Sequence, residues 1–236
     1  VTEVYLGPVL IDTGRDGGNL IRFNPVGAAL VTPNDIVIPE GQPGLSTNPL
    51  TPTQYTGLYL PLGETGMIDV QALRSDDGAL ISTAEIRLND RILGYGSLVD
   101  QPVSVGAHTL SFGDVTGLVT PLDIAFTIAA DESATFAGIY IPSGNDFQAI
   151  TIRTVDDQTP ANALNASIRF SIDGGDSNFS LGSGVATLNV DETVDSNQIL
   201  YLATFTNPAT GETYDLVMPA DGVEELIAPY ADEYRG

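Results

Sequence analysis

The chain contains no cysteine, no lysine, no tryptophan and only one histidine. Without cysteine there are no disulfides, zinc thiolates, iron–sulfur clusters or c-type haem attachment. Without lysine there is no Schiff-base chemistry, no phosphate loop of the Walker A type and no lysine–asparagine isopeptide staple. All eight basic residues are arginine. A single histidine means that any Ser-His-Asp or Cys-His arrangement must run through His108. Apolar runs stop well short of the roughly 18 residues needed to span a bilayer, and no charged segment followed by an apolar core opens the chain. The start at Val1 is read as a processed N-terminus.

Charge is one-sided. Thirty-one acidic residues against eight arginines give a formal net charge of −23 over 236 residues. Such a surface repels phosphate backbones and anionic lipid, which argues against nucleic-acid and membrane-surface partners. Cations are its natural company, through salt adaptation or through Ca²⁺ held by acidic loops.

Short apolar runs rich in β-branched residues dominate the chain, each bounded by Gly, Pro, Asp or Asn. Pro102–Phe112, Ile124–Ala130 and Ala134–Ile141 read as three strands. Ala84, Ile86 and Leu88 alternate with Glu85 and Arg87, the pattern of a half-buried strand. The segment Thr135–Gly144 echoes Gln54–Gly63, with Gly138-Ile139-Tyr140-Ile141-Pro142 set against Gly57-Leu58-Tyr59-Leu60-Pro61, so the chain repeats itself. Ala149–Asp157 parallels Asp69–Asp77, Asn165–Phe170 parallels Thr83–Leu88, and Leu181–Val190 takes the place of Val103–Phe112. The expected fold is all-β: tandem small β-sandwiches over residues 1–63, 64–143 and 144–236. One helix is expected, at the end, where Asp221 and Glu224 fit a capping box ahead of Val223, Leu226 and Ile227, and Pro229 stops it.

The stretch Val105-Gly106-Ala107-His108-Thr109-Leu110-Ser111-Phe112-Gly113-Asp114-Val115, with Gly117, Thr120-Pro121 and Gly138-Ile139-Tyr140, resembles carboxypeptidase-regulatory-like and PEGA-type repeats of bacterial and archaeal surface proteins. Leu88-Asn89-Asp90-Arg91-Ile92-Leu93-Gly94 is similar to the hairpin before that pattern, with Asp90 where glycine is usual. The resemblance covers about residues 67–142. It implies a small prealbumin-like sandwich with a structural or adhesive role and no catalytic residues.

The residues themselves offer few sites. By the strand period of two, His108 shares a face with Leu110 and Phe112 and reads as a core residue, and the Gly-x-Ser-x-Gly signature of hydrolases is missing. The carboxylate pairs Asp76-Asp77, Asp156-Asp157 and Glu224-Glu225 are adjacent, whereas glycosidase carboxyls face one another across a cleft. No enzyme is expected, and no cofactor is required. Candidate Ca²⁺ ligands are Asp12, Asp16 and Asn19 in one glycine-rich loop and Asp173, Asp176 and Asn178 in another. Asn165 and Asn178 open glycosylation sequons. The apolar opening, with Val1, Val4, Tyr5, Leu6, Val9, Leu10 and Ile11, is either the edge strand of its own unit or a strand donated to a neighbouring subunit. The leading expectation is a secreted, self-assembling subunit of a filament, pilus-like fibre or surface layer. The alternative is a non-catalytic cell-surface module recognising carbohydrate or protein.

Overall fold

The structure is a computed structural model. It describes residues 2–3, 19–39, 55, 57–153, 167–171, 179–191, 199–202, 205–206, 213–214, 223–225 and 233–235. Those residues form strands and connecting turns, with no helix among them.

The N-terminal unit contains β1 (Thr2–Glu3), β2 (Asn19–Ile21), β3 (Leu30–Val31), β4 (Ile36–Ile38) and β5 (Leu58–Pro61). The central unit contains β6 (Thr65–Arg74), β7 (Glu85–Leu88), β8 (Arg91–Tyr95), β9 (Ser97–Ser104), β10 (Gly106–Phe112), β11 (Leu118–Val119), β12 (Ile124–Ile128) and β13 (Ser133–Pro142). The C-terminal unit contains β14 (Phe147–Arg153), β15 (Ser167–Ser171), β16 (Phe179–Ser183), β17 (Val185–Asp191), β18 (Ile199–Leu202), β19 (Phe205–Thr206), β20 (Thr213–Tyr214), β21 (Val223–Glu225) and β22 (Glu233–Arg235).

The central unit is a sandwich of two four-stranded sheets, β12-β10-β7-β8 and β11-β13-β6-β9. Its first and last long strands, β6 and β13, pair in parallel from Ser133↔Met67 to Tyr140↔Arg74. A parallel pair needs a long crossover, and here the crossover is the whole opposite sheet. The apolar positions of strict alternation meet between the layers: Ile68, Val70, Phe136 and Tyr140 from one sheet, and Ile86, Leu110, Phe126 and Ile128 from the other. Phe126 and Phe136 bridge the two sheets with ring centroids 4.6 Å apart.

Glycine marks the points where the chain changes sheets. The run Pro102–Phe112, expected as one strand, is two, broken at Val105. Gly106 has φ 124°, which turns β9 of one sheet into β10 of the other. Gly96, with φ 67°, makes the earlier switch from β8 to β9. A Cβ there would lie 2.7 Å from the Cα of Ser82.

The C-terminal unit repeats this plan. Its sheets run β21-β18-β15-β16 and β22-β14-β17, the order of β12-β10-β7-β8 and β13-β6-β9. Even the bulge recurs: β7 and β8 slip register between Ile86↔Gly94 and Arg87↔Ile92, and β15 and β16 slip between Ile168↔Gly182 and Arg169↔Ser180. Leu181-Gly182-x-Gly184 is therefore the counterpart of Leu93-Gly94-x-Gly96, and β17 corresponds to β9. This shifts the sequence expectation by one strand: Val185–Asp191 corresponds to Ser97–Ser104, and Ile199–Leu202 to Gly106–Phe112.

The expected terminal helix is also corrected. Val223–Glu225 is a strand, antiparallel to β18 through Tyr201↔Val223 and Ile199↔Glu225. A two-turn helix is marginal in isolation, whereas the open edge of β18 supplies backbone partners at once. The flanking positions Asp221, Leu226, Ile227 and Pro229 lie outside the described residues.

The N-terminal unit matches the second half of the sandwich. β2 pairs with β4 as β10 does with β12, and β3 pairs with β5 as β11 does with β13. Gly57 and Gly138 sit beneath phenylalanine rings, and a Cβ would fall 2.3 Å from Phe23 and 2.5 Å from Phe112. The tyrosine two residues later then bonds the carbonyl that follows the ring: Tyr59 Oη to Asn24 O at 2.7 Å, and Tyr140 Oη to Gly113 O at 2.6 Å. Burial pushes the Tyr140 phenol above its usual range, keeping it a donor.

Gly138→Ala and Gly57→Ala are each expected to cost about 1–3 kcal/mol, because the new methyl must displace a packed ring. Urea unfolding monitored by tyrosine fluorescence measures the loss, and wild-type midpoints in both variants would refute the packing argument.

Candidate functional site

Two seams join the three units, and both use the same kinds of element. At the first, β4 packs beside β8; at the second, β12 packs beside β16, the counterparts of that pair. Asn34 of the N-terminal unit donates through Nδ2 to the Val99 and Asp100 carbonyls at 3.0 and 3.2 Å, on the edge strand β9. The hydroxyls of Tyr55 and Tyr95 meet at 2.9 Å, and burial pushes both phenols above the ordinary tyrosine range. Asp35 fixes the local turn by accepting from Phe23 N at 3.1 Å and from Arg22 Nε at 3.2 Å.

A cavity of about 420 Å³ lies in this first seam. Leu58 and Leu60 of β5 form one wall, Leu88 and Leu93 another, and the exposed Asn89 and Arg91 stand at its mouth. Gln101, only 5% exposed, lines it as well. Its Nε2 donates to Pro102 O at 3.2 Å, while no described group donates to its Oε1. A buried acceptor without a described donor is costly, and it adds a polar point to a lining that holds Phe23 and His108 as well as the leucines.

His108 stands on the same cavity wall, 8% exposed, its ring 5.5 Å from that of Phe126. Nε2–H donates to Ser104 O at 2.7 Å, and Nδ1 accepts from Asn89 Nδ2 at 3.0 Å. Both nitrogens are engaged, which leaves neither to activate a hydroxyl. Asn89 is held in turn by accepting the Thr109 N–H at 2.9 Å on Oδ1. It can reach both partners because Asn89 and Asp90 form the β7–β8 hairpin with φ of 49° and 65°, the left-handed pair of a type I′ turn.

The second seam holds a buried carboxylate. Asp191, 1% exposed, accepts on Oδ2 from Ser75 Oγ at 2.6 Å and from Asn145 Nδ2 at 2.9 Å. Ser75 opens the turn after β6 of the central unit, so the bond ties β17 of one sandwich to its neighbour. Gly182, with φ 99°, brings its backbone so close that a Cβ would sit 2.5 Å from Ala125 O. Leu73, Ala137 and Phe179 fill the apolar part of the seam. Sequence reasoning missed Asp191, Gln101 and Asn89. Asp191 ends β17, Gln101 lies within β9 and Asn89 sits in a hairpin turn, and only tertiary packing brings each to its partners.

Of the other expected sites, Asp76 and Asp77 occupy the turn after β6. Arg74 grips Asp76 through two bonds of 2.9 and 2.5 Å, while Asp77 Oδ1 accepts the Ala79 N–H at 2.9 Å. Arg74 Nε also lies 3.6 Å from Asp77 Oδ1, so one guanidinium faces both carboxylates in this turn. The Arg74 hydrogen bond holds the Asp76 carboxyl below its usual range, so its small contribution is present above that range and lost as pH falls through the lowered value. Asp156 and Asp157 lie outside the described residues, as do Asp12, Asp16, Asp173, Asp176, Asn178 and Asn165. Asn19 enters only through its backbone, paired with Ile38. Among the described residues no group of three or more His, Asp or Glu is placed to hold a metal ion. In the apolar opening, Thr2 and Glu3 pair with Tyr59 and Leu58 of their own unit; Val1, Val4, Tyr5, Leu6, Val9, Leu10 and Ile11 lie outside the described residues.

Asn89→Ala removes the donor to His108 and the acceptor for Thr109 while leaving alanine at positive φ, and is expected to cost about 2–4 kcal/mol. Asp90→Gly relaxes the second turn position and should be neutral or stabilising by up to about 1 kcal/mol. Asp191→Ala strands Ser75 and Asn145 and should cost about 1–3 kcal/mol. Chemical denaturation curves of the three variants check the order; an unchanged Asp191→Ala midpoint would show that the carboxylate does not hold the seam.

No protein-family model matches the sequence, and no curated protein matches it. Among solved structures the chain is similar to the Bacillus anthracis TIE protein at 12% identity and a TM-score of 0.27. The match covers 77% of this chain, which spans only about a third (35%) of that protein's length. The shaft pilin spaA from Lactobacillus rhamnosus GG matches at 12% identity and a TM-score of 0.25, over 72% of this chain and 95% of that one. A Streptococcal ancillary pilin matches at 10% identity and a TM-score of 0.27, over 91% and 76% of the respective chains. Likeness at these values establishes neither a shared function nor a shared partner.

Proposed function

We propose that the protein is a structural subunit of an extracellular filament, pilus-like fibre or surface layer, built from tandem β-sandwich units. The observation that carries this reading is the recurrence of one strand order in the central and C-terminal units, joined through a buried carboxylate and a glycine-tight backbone contact. Units joined this way form a stiff rod, since bending the seam would expose Asp191 partners and apolar surface together. The resemblance of residues 67–142 to PEGA-type surface repeats points the same way, as does a −23 charge suited to an exposed, saline setting.

No catalytic role is assigned. The sole histidine is bound at both nitrogens, and the Asp76-Asp77 carboxylates are held in a turn by Arg74 and the Ala79 N–H. Ca²⁺ belongs to this reading as an assembly or stabilising ion taken by the acidic loops around Asp12 and Asp173. Display at the cell surface, and assembly of the chain with copies of itself, complete it.

Negative-stain microscopy and light scattering of the purified chain, with and without Ca²⁺, test the reading. Fibres or sheets with a repeat along their length are expected; monodisperse monomers at all protein, salt and Ca²⁺ concentrations would overturn it.

A further inference from the structure

The cavity in the first seam mixes apolar surface with polar atoms that have bonding capacity to spare. Its volume of about 420 Å³ falls within the range of small-molecule sites. Gln101, 5% exposed, uses Nε2 on Pro102 O, and its Oε1 has no donor among the described residues. Asn34 spends Nδ2 on the Val99 and Asp100 carbonyls, which leaves Oδ1 open, and no described residue bonds the Ser104 hydroxyl. The two carbonyl oxygens call for O–H or N–H donors, and the hydroxyl can act in either sense. His108 adds ring surface only, since both its nitrogens are engaged.

The apolar part of the lining has an aromatic member. The half-buried Phe23 ring rests on Gly57 and lines the cavity together with Leu58 and Leu60. Such a ring presents a flat face to C–H groups. Charge narrows the choice of ligand. No carboxylate occurs among the described lining residues, so a bound cation would lie unpaired. Arg91 stands at the mouth, but the open carbonyl oxygens and a net charge of −23 oppose an anion. The ligand that meets these conditions is uncharged, carries several hydroxyl donors and has one C–H face. A neutral pyranose sugar fits that description.

We propose that this cavity binds one neutral sugar residue, its C–H face on Phe23 and the leucines and its hydroxyls on Gln101, Asn34 and Ser104. Because the walls come from two units, an occupied cavity also holds the first seam together. The inference goes beyond the assembly reading and does not depend on it, since a subunit can take a sugar whether or not it forms fibres.

Calorimetric titration of the full chain with glucose, galactose, mannose and N-acetylglucosamine tests it, with glucosamine and glucuronate as charged counterparts. Saturable binding of at least one neutral sugar is expected, tighter than that of either charged one and accompanied by a rise in melting temperature. Gln101→Leu keeps the side chain's bulk but removes its acceptor, and should weaken binding about tenfold. Phe23→Leu should weaken it about fivefold. Leu122→Ala, at an exposed position outside the cavity, should leave it unchanged. Circular dichroism verifies the fold of each variant, and Ser104→Ala, expected to bind more weakly than wild type, replaces any that unfolds.

A glycan array probed with the labelled chain separates the two sources of such a ring. Capture by glycans ending in the preferred sugar assigns a glycan end, titration without capture assigns the free sugar, and either result supports the site. No heat, no melting shift with any neutral sugar at millimolar concentration and no capture would overturn the inference. So would binding that survives both Gln101→Leu and Phe23→Leu, or a preference for glucosamine or glucuronate over every neutral sugar.

Discussion

At Gly138 the backbone lies so close to the Phe112 ring that no side chain fits between them, and two residues later Tyr140 crosses the layer to bond the carbonyl of Gly113. This contact sets the spacing of the sandwich. It fixes the last strand against the opposite sheet, places Phe136 on Phe126, and holds β13 in register with β6 along eight residues. The N-terminal unit uses the same device with Gly57, Phe23, Tyr59 and Asn24. A flat glycine surface under an aromatic ring, locked by a phenol, is a local solution to joining two layers without a disulfide. It suits a chain that has no cysteine to supply one.

The strands that leave this lock carry the seams. Pro61 and Pro142 each end the tyrosine strand, and the chain passes at once into the next unit. Short connections leave little slack, so adjoining sandwiches touch through paired elements: β4 with β8, then β12 with β16. Polar groups are satisfied across each boundary, the half-buried Asn34 on β9 carbonyls in one case and the buried Asp191 by Ser75 in the other. Such groups add little net stability, yet breaking one partner is expensive, which favours a single relative orientation of the units. The seams differ in completeness. The second is filled by Leu73, Ala137 and Phe179, while the first retains a cavity and the unanswered acceptor of Gln101.

Much of the architecture was legible in the residues. Alternation of Ala84, Ile86 and Leu88 placed β7 with its apolar face inward, the echo of Gly-x-Tyr-x-Pro located two homologous strands, and the period of two put His108 among core residues. Three expectations failed for identifiable reasons, the first being Pro102–Phe112 as one strand, which the turn at Val105 and Gly106, with φ 124°, divides between two sheets. The alignment of Leu181–Val190 with Val103–Phe112 followed hydrophobicity, when the Leu-Gly-x-Gly signature common to residues 93–96 and 181–184 would have given the true register. Asp221 to Pro229 satisfied a local helix rule, but a two-turn helix competes poorly with an open strand edge. The candidate site was hardly legible at all, because Gln101, Asn89 and Asp191 acquire meaning only from what surrounds them.

The sequence by itself determined that this protein is made of short strands in repeated sandwiches, that it works without thiol, amine or lysine-dependent chemistry, and that its surface is strongly anionic. These follow from residue type and period, which act over a few positions. Tertiary structure alone decided which strands share a sheet, where the units touch, and which polar groups are buried between them. Those outcomes depend on residues more than a hundred positions apart, as with Ser75 and Asp191, whose meeting no local pattern encodes.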